Sequence, residues 1–358
     1  MSAHRALLAL LAIPVLVMAQ EKPSTTDSTA GGAQQEPAQT GISGPIPGLN
    51  IRGYGDVQYN AGTKRTSKFV LGDFSLFLTS QLSDSVRVLA DIVFETDVGD
   101  EVGLDIGRLV LLYSPSDYFN IGIGRLGTAI GYYNTAYYEA GWFQTSVDRP
   151  FLFAFEKEGG ILPLQGVGVT LSGRIPSGAL GLRYLAELNS DKADDEQGFH
   201  PNAGKAVNFG IQARPDRWPG LQLGCSVYRN RFRPPEGSPV TESIYAAHAV
   251  YIRSGWEILN EGVLIRNAVR GGAVFRTPGF YSQIARRFRN FQPYLRYQYI
   301  NTRTEEPIFD DLGRRNGPSV GVRYRLGESA AFKLQLDREA RRLEKTQHGL
   351  KAQLVFRF

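Results

Sequence analysis

The stretch LKAQLVFRF, Leu350–Phe358, closes the chain on an aromatic residue with an apolar residue at every second place behind it. Leu350, Ala352, Leu354, Phe356 and Phe358 share one parity; Lys351, Gln353, Val355 and Arg357 share the other. Successive side chains of a strand point to opposite faces, so the segment reads as a strand with one apolar and one largely polar side. Strands of soluble sandwiches alternate too, but seldom run to a terminal aromatic.

Working back from this end, the same grammar holds as far as Ile51. Phe74, Leu76, Leu78 and Leu82 oppose Ser75, Thr79 and Gln81; Val86, Val88, Ala90, Ile92 and Phe94 oppose Arg87, Asp91 and Glu95. The pattern continues through Leu109–Tyr113, Phe119–Ile123, Val167–Leu171, Leu180–Leu188, Val207–Ile211 and Leu221–Val227. Further strands fit about Ser243–Ile252, Trp256–Leu264, Gly279–Arg287, Phe291–Ile300, Pro318–Leu326, Ala330–Arg338 and His348–Phe358; the parity of Ser243–Ile252 and Gly279–Arg287 is ambiguous. Short turns such as Ser83–Ser85, Pro115–Asp117, Arg253–Gly255 and Gly327–Ser329 alternate with longer polar links. An even count of about sixteen strands with alternating link lengths predicts an all-β fold: a transmembrane antiparallel β-barrel with short periplasmic turns and long outer loops. Hydrocarbon supplies no partner for backbone groups, so a sheet crosses it only when closed. Tyr297 and Tyr299, and Phe356 with Phe358, suit aromatic belts at the membrane surfaces. The last strand has the form of an outer-membrane assembly signal, which would make barrel-assembly machinery a partner through the end at Phe358.

Met1–Ala19 has a basic start at His4 and Arg5, an apolar run from Ala6 to Val17 and a small residue at Ala19, the layout of a cleaved signal peptide. The run is shorter than the roughly 20 residues of a spanning helix. Residues 20–47, rich in Ser, Thr, Gly, Pro and Gln, read as a disordered periplasmic linker, and 48–358 as the barrel. The one cysteine, Cys225, rules out a disulfide within the chain and reads as apolar filling. Net charge is +5, with a pI near 9.2 and mean hydropathy of −0.22. With no basic tail or helix, the chain does not look like a nucleic-acid binder.

The chain resembles the phosphate-selective porin O and P type family. The resemblance lies in IGIGRLGTAIGYYN (121–134), RPFLFAFEKEGGILP (149–163) before VGVTLSGRIPSG (167–178), GFYSQIARRFRNFQPYLRYQY (279–299) and the closing strand. It implies a sixteen-stranded outer-membrane porin, a homotrimer, with an inward-folded third loop; phosphate selectivity is not carried over residue by residue.

Inward parity gathers Arg52, Arg87, Arg108, Arg174, Arg183, Arg214, Arg296, Arg323, Arg325, Lys333 and Lys351, against Asp56, Asp73, Asp91, Glu95, Glu187 and Asp337. Of these, Arg108, Arg174, Arg183, Arg296, Arg323 and Lys333 are the candidate pore-lining and anion-binding residues, with Arg183, Arg296 and Arg323 expected nearest mid-strand. Bracing of the wall by opposite charges is the competing use. The longest link, Gly127–Gln165, is too aromatic to be left in water and reads as a constriction loop carrying Tyr132, Tyr133, Tyr138, Trp142, Asp148 and Arg149. An outer cap or a contact between protomers is the alternative. Its aromatic rings would also suit stacking on sugars or other organic solutes, or simple packing against the wall. His4, His200, His248 and His348 are scattered, with no nucleophile motif and no metal-ligand spacing, so neither an enzyme nor a cofactor is expected. A plugged structural or adhesive barrel is the third class. The reading favoured is a porin for small hydrophilic solutes with mild anion preference, in the outer membrane of a Gram-negative envelope.

Overall fold

The computed structural model describes residues 42–43, 48–63, 65–96, 102–137, 141–155, 158–190, 205–233, 238–309, 312–342 and 344–358. The expected signal peptide and nearly all of the expected linker lie outside the described residues. In chain order the strands are β1 (Ile42–Ser43), β2 (Leu49–Gly62), β3 (Arg65–Ser83), β4 (Val86–Thr96), β5 (Val102–Ser116), β6 (Phe119–Gly127), β7 (Gln165–Arg174), β8 (Leu182–Ser190) and β9 (Lys205–Ala213). They continue as β10 (Leu221–Phe232), β11 (Val240–Arg253), β12 (Trp256–Val269), β13 (Val274–Arg286), β14 (Phe291–Asn301), β15 (Arg314–Arg325), β16 (Ala330–Arg341) and β17 (Gln347–Arg357). Strands β2 to β17 each pair antiparallel with their sequence neighbours, and β17 pairs with β2, which closes a sixteen-stranded barrel. The two-residue β1 takes Asn50 and Ile51 of β2, below the stretch Tyr54–Gly62 that β17 occupies.

Burial inverts the pattern of a water-soluble protein. On β14, Tyr294, Arg296, Gln298 and Ile300 are buried inside, while Leu295 is 53% and Tyr297 44% exposed outside. On β16, Ala331, Lys333 and Gln335 are wholly buried, and Phe332, Leu334 and Leu336 face out. An apolar exterior around a polar interior is the arrangement a barrel needs in hydrocarbon. The two strands of ambiguous parity are now resolved. Glu242, Ile244, Ala246, His248 and Val250 of β11 point in, as do Thr277, Tyr281, Gln283 and Ala285 of β13.

Two bulges explain why parity drifts along β3 and β5. Gly55 faces Phe74 and Val57 faces Leu71, so Asp56 alone spans Gly72 and Asp73. The Asp73 backbone N–H donates to the Asp56 carboxylate (3.2 Å), and both Leu71 and Phe74 end up outside. A second shift at Asp91/Ile92 resets β5 about Gly107. At the turn between β11 and β12, Ser254 and Gly255 both have positive φ (51° and 80°), the two-residue type I′ geometry that matches strand twist.

The closing seam is held by the residues that opened the sequence reading. Phe358 exchanges backbone hydrogen bonds with Gly53 (2.8 and 3.0 Å). The rings of Phe358 and Phe356 lie over Gly53 and Gly55, so a Cβ at either glycine would collide with the aromatic above it. Phe74 stacks on Phe358 at 5.9 Å between centroids. Cys225 is a free, exposed thiol on the outer wall, on the apolar parity it shares with Leu221, Leu223 and Val227 of β10.

Candidate functional site

The segment 128–164 between β6 and β7 folds into the lumen. A neck ties its two ends: the Thr128 N–H donates to Leu164 O (2.9 Å), and Asn134 Nδ2 donates to Thr128 O (2.7 Å) and Leu164 O (2.9 Å). From there the chain crosses to β8 and β9, where the Ala129 N–H meets the Glu187 carboxylate and Asn208 Nδ2 donates to both Ala129 O and Glu187. The four-residue helix α1 (Tyr133–Ala136) begins on Glu261 of β12. Glu261 accepts from the N–H groups of Tyr132 (2.5 Å) and Tyr133 (2.9 Å) and from the Tyr281 hydroxyl (2.5 Å). Gly131 before it has φ +76°, and any side chain there would strike Glu261 and Phe153.

One side of the segment is an apolar core. Ile130, Tyr133, Leu152, Phe153, Ile161, Leu162 and Leu164 pack with inward residues of β9–β14, among them Ile244, Val250, Leu259, Ile265, Tyr281 and Ile300. The Tyr133 ring stacks on Phe153 (5.4 Å) and meets Tyr281 edge-on (6.1 Å). Burial pushes the Tyr132 phenol up to about 12 and raises those of Tyr133 and Tyr137 as well, so all three stay neutral at any ordinary pH.

The other side is a polar clamp on β14–β17. Arg296 Nη1 donates to Ser146 Oγ and Asp148 O (both 2.9 Å), Arg323 Nη1 to Gln144 O (3.1 Å), and Lys333 Nζ to Gly141 O (2.5 Å) and Ser146 O (3.0 Å). Gln335 accepts from the Val147 N–H (2.9 Å) and donates to Asp148 (2.9 Å), which also pairs with Lys351. Thr145 donates to Glu257 of β12 (2.8 Å), and Arg315 reaches Glu158 O (2.9 Å) beneath the Phe151 ring. A backbone turn rich in carbonyls and placed among cations satisfies both sides of the contact.

Three of the six candidate anion residues, Arg296, Arg323 and Lys333, thus hold loop backbone. Arg296 Nε and Nη2 and Arg323 Nε are buried without an acceptor. Arg108 pairs with Asp91 across β4 and β5 (3.0 Å). Arg174 pairs with Asp117 at the short-turn rim (3.2 Å). Arg183, expected near mid-strand, is the second residue of β8 and sits at that same rim, because β8 starts only at Leu182. Tyr138 lies outside the described residues. Trp142 lies between the guanidinium groups of Arg323 (5.1 Å) and Arg357 (5.2 Å), and Phe143 packs on Tyr54 (5.1 Å). Arg149 stays within the segment, donating to Phe153 O (2.6 Å) and lying over Phe155 (4.8 Å).

Sequence reading missed Glu261, Glu257 and Gln335, the wall residues that grip the segment. Only the oddity of a lone carboxylate among Leu259, Val263 and Ile265 could have singled out Glu261. A cleft remains between the segment and β2–β3, lined by Tyr54, Asp56, Asp73, Ser75, Gly141 and Trp142. The inward face of β3–β5 adds Phe77, Asp91, Val93, Arg108 and Val110. Among the described residues no group of three His, Cys, Asp or Glu side chains is placed to hold a metal.

A closed sixteen-stranded barrel with a long segment folded into its lumen defines a porin-type fold. Solved structures of outer-membrane porins and channels are among those it is similar to. An anion-selective porin from Comamonas acidovorans superposes with a TM-score of 0.63 at 12% identity, covering 87% of this chain and 99% of that one. OmpF of Salmonella typhi, solved with daunomycin, gives 0.61 at 12% identity, covering 87% and 97%. The outer membrane channel DcaP of Acinetobacter baumannii gives 0.60 at 9% identity, also covering 87% and 97%. At these identities the likeness is one of fold. No family model matches the sequence, and no curated protein matches it.

Proposed function

We propose that the chain is an outer-membrane porin through which small hydrophilic solutes diffuse passively, with segment 128–164 as its constriction and a mild preference for anions. The observation that carries this reading is the inverted wall of the closed barrel, with Arg296, Gln298, Lys333 and Gln335 inside and Leu295, Tyr297, Phe332 and Leu334 outside; barrels of sixteen strands have room for an aqueous channel. Solutes pass on the β2–β6 side, between the segment and the Asp91–Arg108 wall. Anion preference is supported by the short-turn end of the lumen, where Arg287, Arg325 and Arg357 gather and Arg183 faces Arg174 on the neighbouring strand. Membership of the phosphate-selective family, a trimeric state and a targeting leader belong to the same proposal.

Single-channel recording in a planar bilayer under a salt gradient tests it. Ohmic steps with an anion-sided reversal potential are expected; block by maltodextrins would shift the solute class to sugars. Folded, heat-modifiable protein that gives no steps would overturn the channel. A plugged barrel would then be the better account, a reading that the wholly buried Leu152 and Phe153 favour.

A further inference from the structure

The outer face of β10–β13 breaks the apolar rule of the wall at its long-loop rim. Arg229 of β10 faces Ser243 of β11, Ser243 faces Arg266 of β12, and Arg266 faces Arg276 of β13. Their neighbours Tyr228, Asn230, Glu242, Asn267 and Thr277 are buried inside, so all four residues of this row point outward. The row is one register level deep across four strands, about 14 Å at a spacing of about 4.8 Å. Like charges directly opposite on a sheet repel. Yet Arg229, Arg266 and Arg276 form no ion pair among the described residues. Ser243, between Arg229 and Arg266, is only 8% exposed on this outward parity. On β3, β5 and β8 the same rim carries Phe69, Leu71, Leu104 and Leu188 outside.

The level below the arginines is Val227, Tyr245, Leu264 and Pro278, in register, and the next brings Ala247 against Gly262. That second level runs Cys225, Ala247, Gly262 and Phe280, so its two middle residues are small and the surface two levels beneath the cations is apolar. We infer that this face docks a phosphorylated, acylated lipid of the outer leaflet, with phosphate oxygens on Arg229, Arg266 and Arg276 and an acyl chain over Ala247 and Gly262. Guanidinium groups bind phosphate in bidentate fashion, and an anionic headgroup removes the mutual repulsion of the row. The inference rests on the proposed outer-membrane setting, which puts the long-loop rim in the outer leaflet, and not on whether the lumen conducts.

The test is native mass spectrometry of the full chain refolded in detergent and titrated with diphosphoryl lipid A, dipalmitoyl phosphatidylcholine or inorganic phosphate. Retention of lipid A, but not of phosphatidylcholine, is expected. The triple variant Arg229→Gln/Arg266→Gln/Arg276→Gln should lose apparent affinity at least tenfold. Arg338→Gln, an outward arginine on β16, should leave it unchanged. Heat-modifiable mobility checks folding. If the triple variant does not fold, Arg266→Gln should still weaken binding and Arg266→Lys largely keep it. Equal binding by wild type and the arginine variants overturns the site. So does displacement of lipid by equimolar inorganic phosphate, which would mark a free-anion site. A lipid-independent oligomer dissolved by the triple variant would show instead that a second copy covers this face. Conductance measured on the same samples separates failure here from failure of the porin reading.

Discussion

The two sides of the lumen are built differently. The wall from β11 to β17 grips segment 128–164 through an apolar core and a set of cations pointed at backbone carbonyls. On the β3–β5 side, Asp91 and Arg108 answer each other across neighbouring strands, next to the cleft at Tyr54 and Asp73. The same inward arginines therefore have different uses. Where a carbonyl-rich loop comes within reach they fasten it; where it does not, they pair across the sheet or remain open to the lumen. Charge counted along a sequence says nothing of this division.

The strongest test of the contrast is to remove the gripped element. Replacing residues 130–162 with a short Gly-Ser link should raise single-channel conductance several-fold, because the segment packed against the inner wall is removed; an unchanged conductance would place the segment off the conduction path. Next comes the clamp. Lys333→Met removes the donor to Gly141 O and Ser146 O and should lower the unfolding free energy by about 2 kcal/mol, read from urea titration in lipid vesicles, together with noisier open-channel current. The same stability in wild type and variant would show that the clamp does not hold the loop.

On the open side the effect should be of another kind. Arg108→Gln leaves the Asp91 carboxylate without its counter-charge, so the reversal potential should move toward cations while current noise stays at the wild-type level. A rise in noise would mean that the two sides are coupled. The smallest expected effect lies at the short-turn mouth. Arg287→Gln/Arg325→Gln should lower the anion-to-cation permeability ratio by about twofold and reduce current rectification, since fixed charge at one mouth screens over a Debye length of about 8 Å. A ratio unchanged at low salt would remove these arginines from the selectivity argument.

Much of the fold was legible because β strands carry their environment in a period of two. Leu295, Tyr297 and Tyr299 against Arg296 and Gln298 required no tertiary knowledge to place. The segment 128–164 was legible as buried from its aromatic content. Parity failed on β11 because Ile244, Ala246 and Val250 point inward to meet the segment, so both faces of that strand are apolar. It misled at Arg183 because its strand begins later than expected.

By itself, then, the chain determined the closed antiparallel wall, the length of the links and the aromatic closing strand, since each follows from local alternation and from the need to pair every backbone group. Which arginine holds a loop, which one answers a carboxylate and which stand in a row on the outer face were decided only by the barrel. Register and closure bring residues from β10, β12 and β13, or from β2, β15 and β17, side by side across gaps in sequence that no local pattern spans.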